Sequence, residues 1–279
     1  MAATERVSAW PSRAATTSPA FEPAPVMISA RGVQKRYNGA KGLLALEDVT
    51  LDIAEGEFVS LLGPSGCGKS TFLRCLAGLE RPTGGALLLD GAPIDGPPEK
   101  LGIAFQRDAL LDWFSVLDNT LLPADFGDYG RAAYEPRARE LLAMVGLKDF
   151  TDVYPSALSG GMRQRAAICR SLLLEPRLLL MDEPFGALDA LTRDQLNVDL
   201  HRLWQRQRMT VGFVTHSISE AVFLSTRIVV FSGRPGKVAE DIRVELPGDR
   251  KLAVRDTPDF IRYTHHIRGL FEKMGLIHD

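Results

Sequence analysis

From Val26 onward, short apolar runs alternate with turn residues. The pattern predicts short strands around a turn at Asn38-Gly39, continuing through Leu51-Asp52-Ile53. Phe58-Val59-Ser60-Leu61-Leu62 reads as a buried strand, and residues 72–79 open a helix after a glycine-rich turn. Ala86-Leu87-Leu88-Leu89 and Leu101-Gly102-Ile103-Ala104-Phe105 follow as strands, with Asp95-Gly96-Pro97-Pro98 as the loop between them. From about residue 107 to 154 the pattern turns helical, most clearly over 136–145 with its 3.6-residue apolar spacing. Leu178-Leu179-Leu180-Met181 is a continuous apolar run, as a parallel strand covered on both faces requires. Residues 211–215 and 227–231 read as further strands. Near the end, Phe260, Tyr263, Ile267, Leu270, Phe271 and Met274 recur at helical spacing. Such a stripe packs a helix on its own domain more often than on a partner.

Composition narrows the class. With 279 residues, 45% hydrophobic and 24% charged, the chain fits one large α/β domain or two small ones and is long enough to bury a core. A net charge of −2 gives no electrostatic case for nucleic acid or anionic lipid. Cys67, Cys75 and Cys169 have no C-x-x-C spacing and suit a reducing cytoplasm. No apolar run approaches the roughly 18 residues of a membrane span, so any membrane connection must come through a protein partner. The first 25 residues, rich in Ala, Ser, Thr and Pro, lack the apolar core of a signal peptide and read as a disordered tail.

The chemistry concentrates in three places. Gly63-Pro64-Ser65-Gly66-Cys67-Gly68-Lys69-Ser70-Thr71, between a strand and a helix, has the form of a phosphate cradle for a nucleoside triphosphate. Lys69 would reach the β- and γ-phosphates, and the Ser70 hydroxyl would complete a Mg²⁺ shell. Cys67 is either a site where a thiol reagent blocks nucleotide or a small filler whose backbone is in use. The second place is the tip of the 178–182 strand, Asp182-Glu183. A carboxylate there is costly unless it meets a metal or a positive charge, so Asp182 is placed to hold Mg²⁺ and Glu183 to polarise a water as general base. Two acids at a surface turn are the simpler alternative. The third is Leu158-Ser159-Gly160-Gly161-Met162-Arg163-Gln164-Arg165, a Ser-capped helix start with two glycines and thus a second anion site.

With these three motifs on one chain, residues 27–244 resemble the ATP-binding subunits of ABC transporters, whose L-S-G-G-x-x-Q-R signature is matched at 158–165. The resemblance implies an α/β, P-loop NTPase (RecA-like) core over 26–250, with a small antiparallel β subdomain and an inserted helical subdomain at about 107–164. A C-terminal helical extension would occupy 251–279. It further implies that Tyr37 stacks on adenine, that Gln106 senses Mg²⁺ and the partner, that Asp189 belongs to the D-loop, and that His216 contacts the γ-phosphate. Two such subunits would bind head to tail as a homodimer. Each ATP would then lie between one glycine loop and the Ser159-Gly160-Gly161 of the other subunit.

Three roles compete: the ATPase of a membrane importer, a soluble ABC-type ATPase acting on DNA or ribosomes, and a regulatory protein that binds ATP without turnover. Lys69, Asp182, Glu183 and His216 disfavour the last. A single unit without basic excess disfavours the second. The importer reading places the chain peripherally on the cytoplasmic face of the inner membrane. Its partners would be permease subunits and, indirectly, a solute-binding protein. Ala109-Leu110-Leu111-Asp112-Trp113-Phe114 would then form a groove for a permease helix, although burial in the helical subdomain explains those residues equally. Residues 182–193 and 231–238 resemble the nitrate, sulfonate and taurine importer group, with Asp112 departing from an expected proline. Thiamine-precursor pyrimidines and aromatic acids are the alternative solutes.

Overall fold

The computed structural model describes residues 24–39, 42–127, 129–186 and 188–277. The expected disordered tail falls almost wholly on residues 1–23, outside the described residues, as does Ala187.

β1 (Val26–Arg36) and β2 (Leu44–Ala54) form an antiparallel pair joined through the turn at Asn38-Gly39. Each is eleven residues long, where the sequence pattern predicts shorter strands. The register slips several times along the pair, so bulges interrupt the alternation while pairing continues. β3 (Phe58–Leu62) is buried throughout and leads through the glycine loop into α1 (Lys69–Leu76). β4 (Gly84–Leu89) returns to pair with β1, and β5 (Ala92–Pro93) completes a four-stranded antiparallel sheet ordered β2-β1-β4-β5.

β6 (Leu101–Ala104) precedes the helical insertion. There α2 (Val116–Phe126) starts at a reciprocal Ser115/Asp118 capping box. α3 (Arg131–Met144) begins five residues before the predicted start, because its first residues face solvent and carry no apolar period. α4 (Gly160–Leu172) packs on α2 and α3 and reaches back to β6. β7 (Leu178–Asp182), α5 (Ala190–Gln207), β8 (Thr210–Thr215), α6 (Ile218–Leu224), β9 (Arg227–Phe231), β10 (Val238–Arg243) and α7 (Pro258–Lys273) complete the chain.

The second sheet runs β10-β9-β3-β8-β7-β6, all parallel except β10. It is covered on both faces, and its side chains sort by the two-residue period of a strand. Val59, Leu61, Leu178, Leu180 and Val214 join the core shared with α1 and the antiparallel sheet. Phe58, Leu62, Leu179, Met181, Val211 and Phe213 join the core shared with the helices of the other face. The C-terminal stripe packs on its own chain: Phe260, Tyr263, Ile267 and Phe271 are buried, and α7 lies against α6. Parallel pairing in the order β3-β8-β7 brings the C-terminal ends of these three strands side by side.

Candidate functional site

The loop from Gly63 to Gly68 is shaped by steric demands at its end. Gly68 has φ +109, and a Cβ there would sit 2.6 Å from the Ala45 carbonyl oxygen. Only glycine fits. Lys69, 4% exposed, folds back over the loop, its Nζ donating to the carbonyls of Gly63 and Pro64 at 2.8 Å each. Cys67 lies beneath, 1% exposed, with its Sγ 3.8 Å from the same Nζ. A buried cysteine under the loop is filler rather than a thiol open to reagents.

At the tip of β7, Asp182 Oδ1 accepts a 2.7 Å hydrogen bond from Ser70 Oγ in the first turn of α1. Burial pushes the Asp182 carboxyl above the usual range, and the Ser70 bond only partly opposes this. A half-buried carboxylate beside a hydroxyl is a hard-oxygen donor set, which fits Mg²⁺. Among the described residues there is no all-protein cage of three metal-binding side chains.

Glu183 takes φ +44, an uncommon left-handed conformation for a non-glycine residue, and its N–H is tied to Val214 O at 3.0 Å. Its Oε2 lies 3.2 Å from His216 Nδ1, at the end of β8. Tyr37 donates to Glu80 Oε2 at 2.6 Å, with Lys35 Nζ 5.2 Å from its ring centroid.

One cleft gathers Tyr37, Gly66, Gly68, Lys69, Ser70, Thr71 and Glu183, together with Leu43, Ala45 and Arg234. Gly63 and Pro64 reach it through Lys69, and His216 through Glu183. Ser65 is exposed on the loop. Gln106, Asp189, Ser159, Gly160 and Gly161 do not line it.

Those remaining residues form a second constellation. Ser159 caps α4, accepting from Met162 N. From α4, Arg163 pairs with Asp108 at 3.0 Å, Gln164 donates to Phe105 O at 3.4 Å, and Arg170 donates to the carbonyls of Asp108 and Ala109 at 2.8 Å each. The signature helix therefore grips the exposed segment that carries Gln106. Gly161 abuts Thr192 of α5, whose N-cap is Asp189.

Thr215, Glu220 and Arg193, to which the motifs assign no role, link these parts. Thr215 Oγ1 donates to buried Glu220 at 2.6 Å, and Arg193 lies 3.5 Å from Glu220 while donating to Leu188 O at 2.9 Å. Burial raises the Glu220 carboxyl above its ordinary range, the Thr215 bond and the Arg193 charge opposing that rise. Glu220 reads in sequence only as a first-turn acid capped by Ser217. In sequence Arg234 stands out only as part of the 231–238 stretch, at Gly233-Arg234-Pro235-Gly236, with nothing there to mark it as a cleft residue. On the helical insertion, Trp113 is 70% exposed whereas Leu110 is buried, so the 109–114 stretch divides between surface and core.

With this geometry in place, likeness to known proteins is specific. The ABC transporter family pattern matches residues 46–186. A taurine import ATP-binding protein of Rhizobium johnstonii is 44% identical over 233 residues, spanning 81% of this chain and 88% of that one. An ATP-binding cassette solved as a dimer in a post-hydrolysis state, with ADP and phosphate, is 33% identical with a TM-score of 0.67, covering 79% of this chain and all of that one. A subunit from Clostridium perfringens, part of an ABC transporter complex, has a TM-score of 0.71 at 25% identity and covers 90% of this chain and all of its own.

Proposed function

The chain belongs to the ABC transporter ATP-binding subunits, and from that premise we propose that it powers import of a small anionic solute, of the nitrate, sulfonate or taurine type, through a separate permease. ATP binding and hydrolysis are its activity. The observation that carries the chemistry is the convergence of Lys69, Ser70 and Glu183 on one cleft, with Asp182 bonded to Ser70 and His216 beside Glu183. The importer role rests on the 44% identity to a taurine import protein.

Each residue's part follows from its position. Lys69 is already aimed along the glycine loop by two carbonyls, and its charge would meet the β- and γ-phosphates. Tyr37 lines the same cleft, and its ring would stack on adenine there. Ser70 and Asp182 would hold Mg²⁺, with Gln106 approaching from its exposed segment. The ion supplies neutralisation of the phosphate charge. Glu183, pinned in its left-handed conformation, would orient the attacking water and take its proton on the carboxylate. His216 would lie against the γ-phosphate and hold Glu183 through Nδ1.

Ser159, Gly160 and Gly161 lie outside the cleft that holds Lys69. In a head-to-tail homodimer they would close on the nucleotide of the partner subunit, with Asp189 at the seam. Loss of the γ-phosphate would release that closure. Exposed Trp113 would seat a permease helix, placing the chain peripherally on the cytoplasmic membrane face, with a solute-binding protein reached only through the permease. Among the described residues no helix is long and apolar enough to cross a membrane.

The test is capture with a tagged Glu183→Gln chain, held with ATP and Mg²⁺ in mild detergent. The expected companion is a hydrophobic multi-span protein, whose own binding protein identifies the solute. Capture of ribosomes, DNA or soluble partners alone would overturn the importer role and leave the ATPase chemistry standing.

A further inference from the structure

β9 runs parallel to β3, with Val230 opposite Leu62, so the loop after β9 sits beside the glycine loop after β3. That second loop is firmly built. Ser232 N donates to Lys237 O at 2.9 Å and Lys237 N to Ser232 Oγ at 3.1 Å, closing its neck. Gly236 is tied to β2 on both sides, its N–H donating to Ala45 O and its carbonyl accepting from Glu47 N, each at 2.9 Å. From this frame Arg234 reaches across, and its Nε donates to Gly66 O at 3.1 Å. The contact is close: a Cβ on Gly66 would lie 3.0 Å from the guanidinium, at a residue with φ +74.

Arg234 lines the same cleft as Lys69 and Thr71. Lys69 donates to both loop carbonyls, with Cys67 Sγ also within 3.8 Å of its Nζ. Arg234 has committed one of five to Gly66, and among the described residues no carboxylate forms an ion pair with it. A guanidinium fork with free donors, at the edge of an anion cradle, matches phosphate oxygens in geometry and charge.

We propose that Arg234 is a second cationic contact for the phosphate chain of the nucleotide, reaching it from the β9–β10 loop while its Nε holds Gly66 in place. The proposal rests on the ATP-binding reading of the cleft and adds a residue to it.

Equilibrium binding of ATP and of adenosine to the full chain tests this, using Arg234→Ala, Arg234→Gln and Arg234→Lys. For Arg234→Ala and Arg234→Gln we expect ATP to bind about tenfold more weakly, the effect of one charge-assisted contact. Arg234→Lys should recover part of that loss. Adenosine affinity and the melting temperature of the nucleotide-free chain should not change. The ATP affinity of Arg234→Ala should also fall less steeply with added salt than that of the wild type. Unaltered ATP affinity in Arg234→Ala overturns the proposal. So does an equal loss for adenosine, or a lysine variant as weak as the glutamine one, since each reduces Arg234 to a prop for the loop. Failure of the wild-type chain to bind ATP would instead overturn the ATPase reading itself.

Discussion

Ser70 Oγ donates to Asp182 Oδ1 across 2.7 Å, joining the first turn of α1 to the tip of β7. Among the described residues this is the only hydrogen bond to the Asp182 carboxyl, and burial still raises that carboxyl above the usual range. A raised folded-state pKa means that the folded chain holds this proton more tightly than the unfolded chain. Stability is therefore lost as pH rises from the ordinary aspartate range, about 4, through the raised value. We expect Asp182→Asn to melt at a higher temperature than the wild type at neutral pH without metal or nucleotide. The gap should narrow on acidification, and the variant should not hydrolyse ATP. Thermal melts from pH 4 to 8 check this, and a variant less stable than wild type at neutral pH would refute it.

Gly161 faces Thr192 so closely that a Cβ would lie 2.5 Å from the Thr192 methyl. Gly161→Ala should thus cost about 1–3 kcal/mol from overpacking. The better helix propensity of alanine, about 1 kcal/mol, offsets part of that. Adding Thr192→Ser removes the methyl and keeps the hydroxyl, so the double variant should be more stable than Gly161→Ala alone. Denaturant melts of the four chains give the coupling directly, and additive losses would mean that the contact is relieved elsewhere.

The parallel sheet was legible because its strands are buried on both faces and read as unbroken apolar runs, as at Leu178-Leu179-Leu180-Met181. The full length of β1 and β2 was not, because bulges break their alternation. β10 leaves no such run in the sequence, because it is an antiparallel edge strand whose residues are mostly half-exposed or exposed. At the site, the glycine loop and the Asp182-Glu183 pair are contiguous motifs, so local chemistry alone identifies them. Arg234 and Glu220 act through contacts made by residues distant in sequence or by single side chains. Arg234 meets Gly66 across 168 residues, and no spacing along the chain records that.

Glu220 should position His216 without touching nucleotide. It accepts from Thr215 Oγ1, which also accepts from Ser217 N at 3.0 Å, so the residues on both sides of His216 are held from one buried point. Glu220→Ala releases Thr215, and we expect kcat to fall by about tenfold or more through lost orientation, with ATP affinity little changed. Glu220→Gln retains an acceptor for Thr215 and should keep most of the turnover. Paired kcat and ATP-binding measurements decide the point, and equal losses in the two variants would assign the effect to charge rather than to the hydrogen bond.

Arg250 ties the C-terminal segment to α6, the helix that follows His216. Only 4% exposed, it donates through one terminal nitrogen to the carbonyls of Val222, Phe223 and Ser225 at 2.7–3.2 Å, and through Nε to Pro247 O at 3.2 Å. Burial pulls its guanidinium down to about 10, so it stays charged at neutral pH. It stands at the C-terminal end of α6, where exposed carbonyls favour a cation. Removing it leaves those buried acceptors without a donor, which is more costly than losing the bonds themselves. Arg250→Ala should cost about 3 kcal/mol or more. Arg250→Lys should recover only part, because one ammonium cannot span both sets of carbonyls. Denaturant unfolding of the three chains measures this, and an alanine variant within about 0.5 kcal/mol of wild type, the range of ordinary surface substitutions, would show that water replaces the guanidinium there.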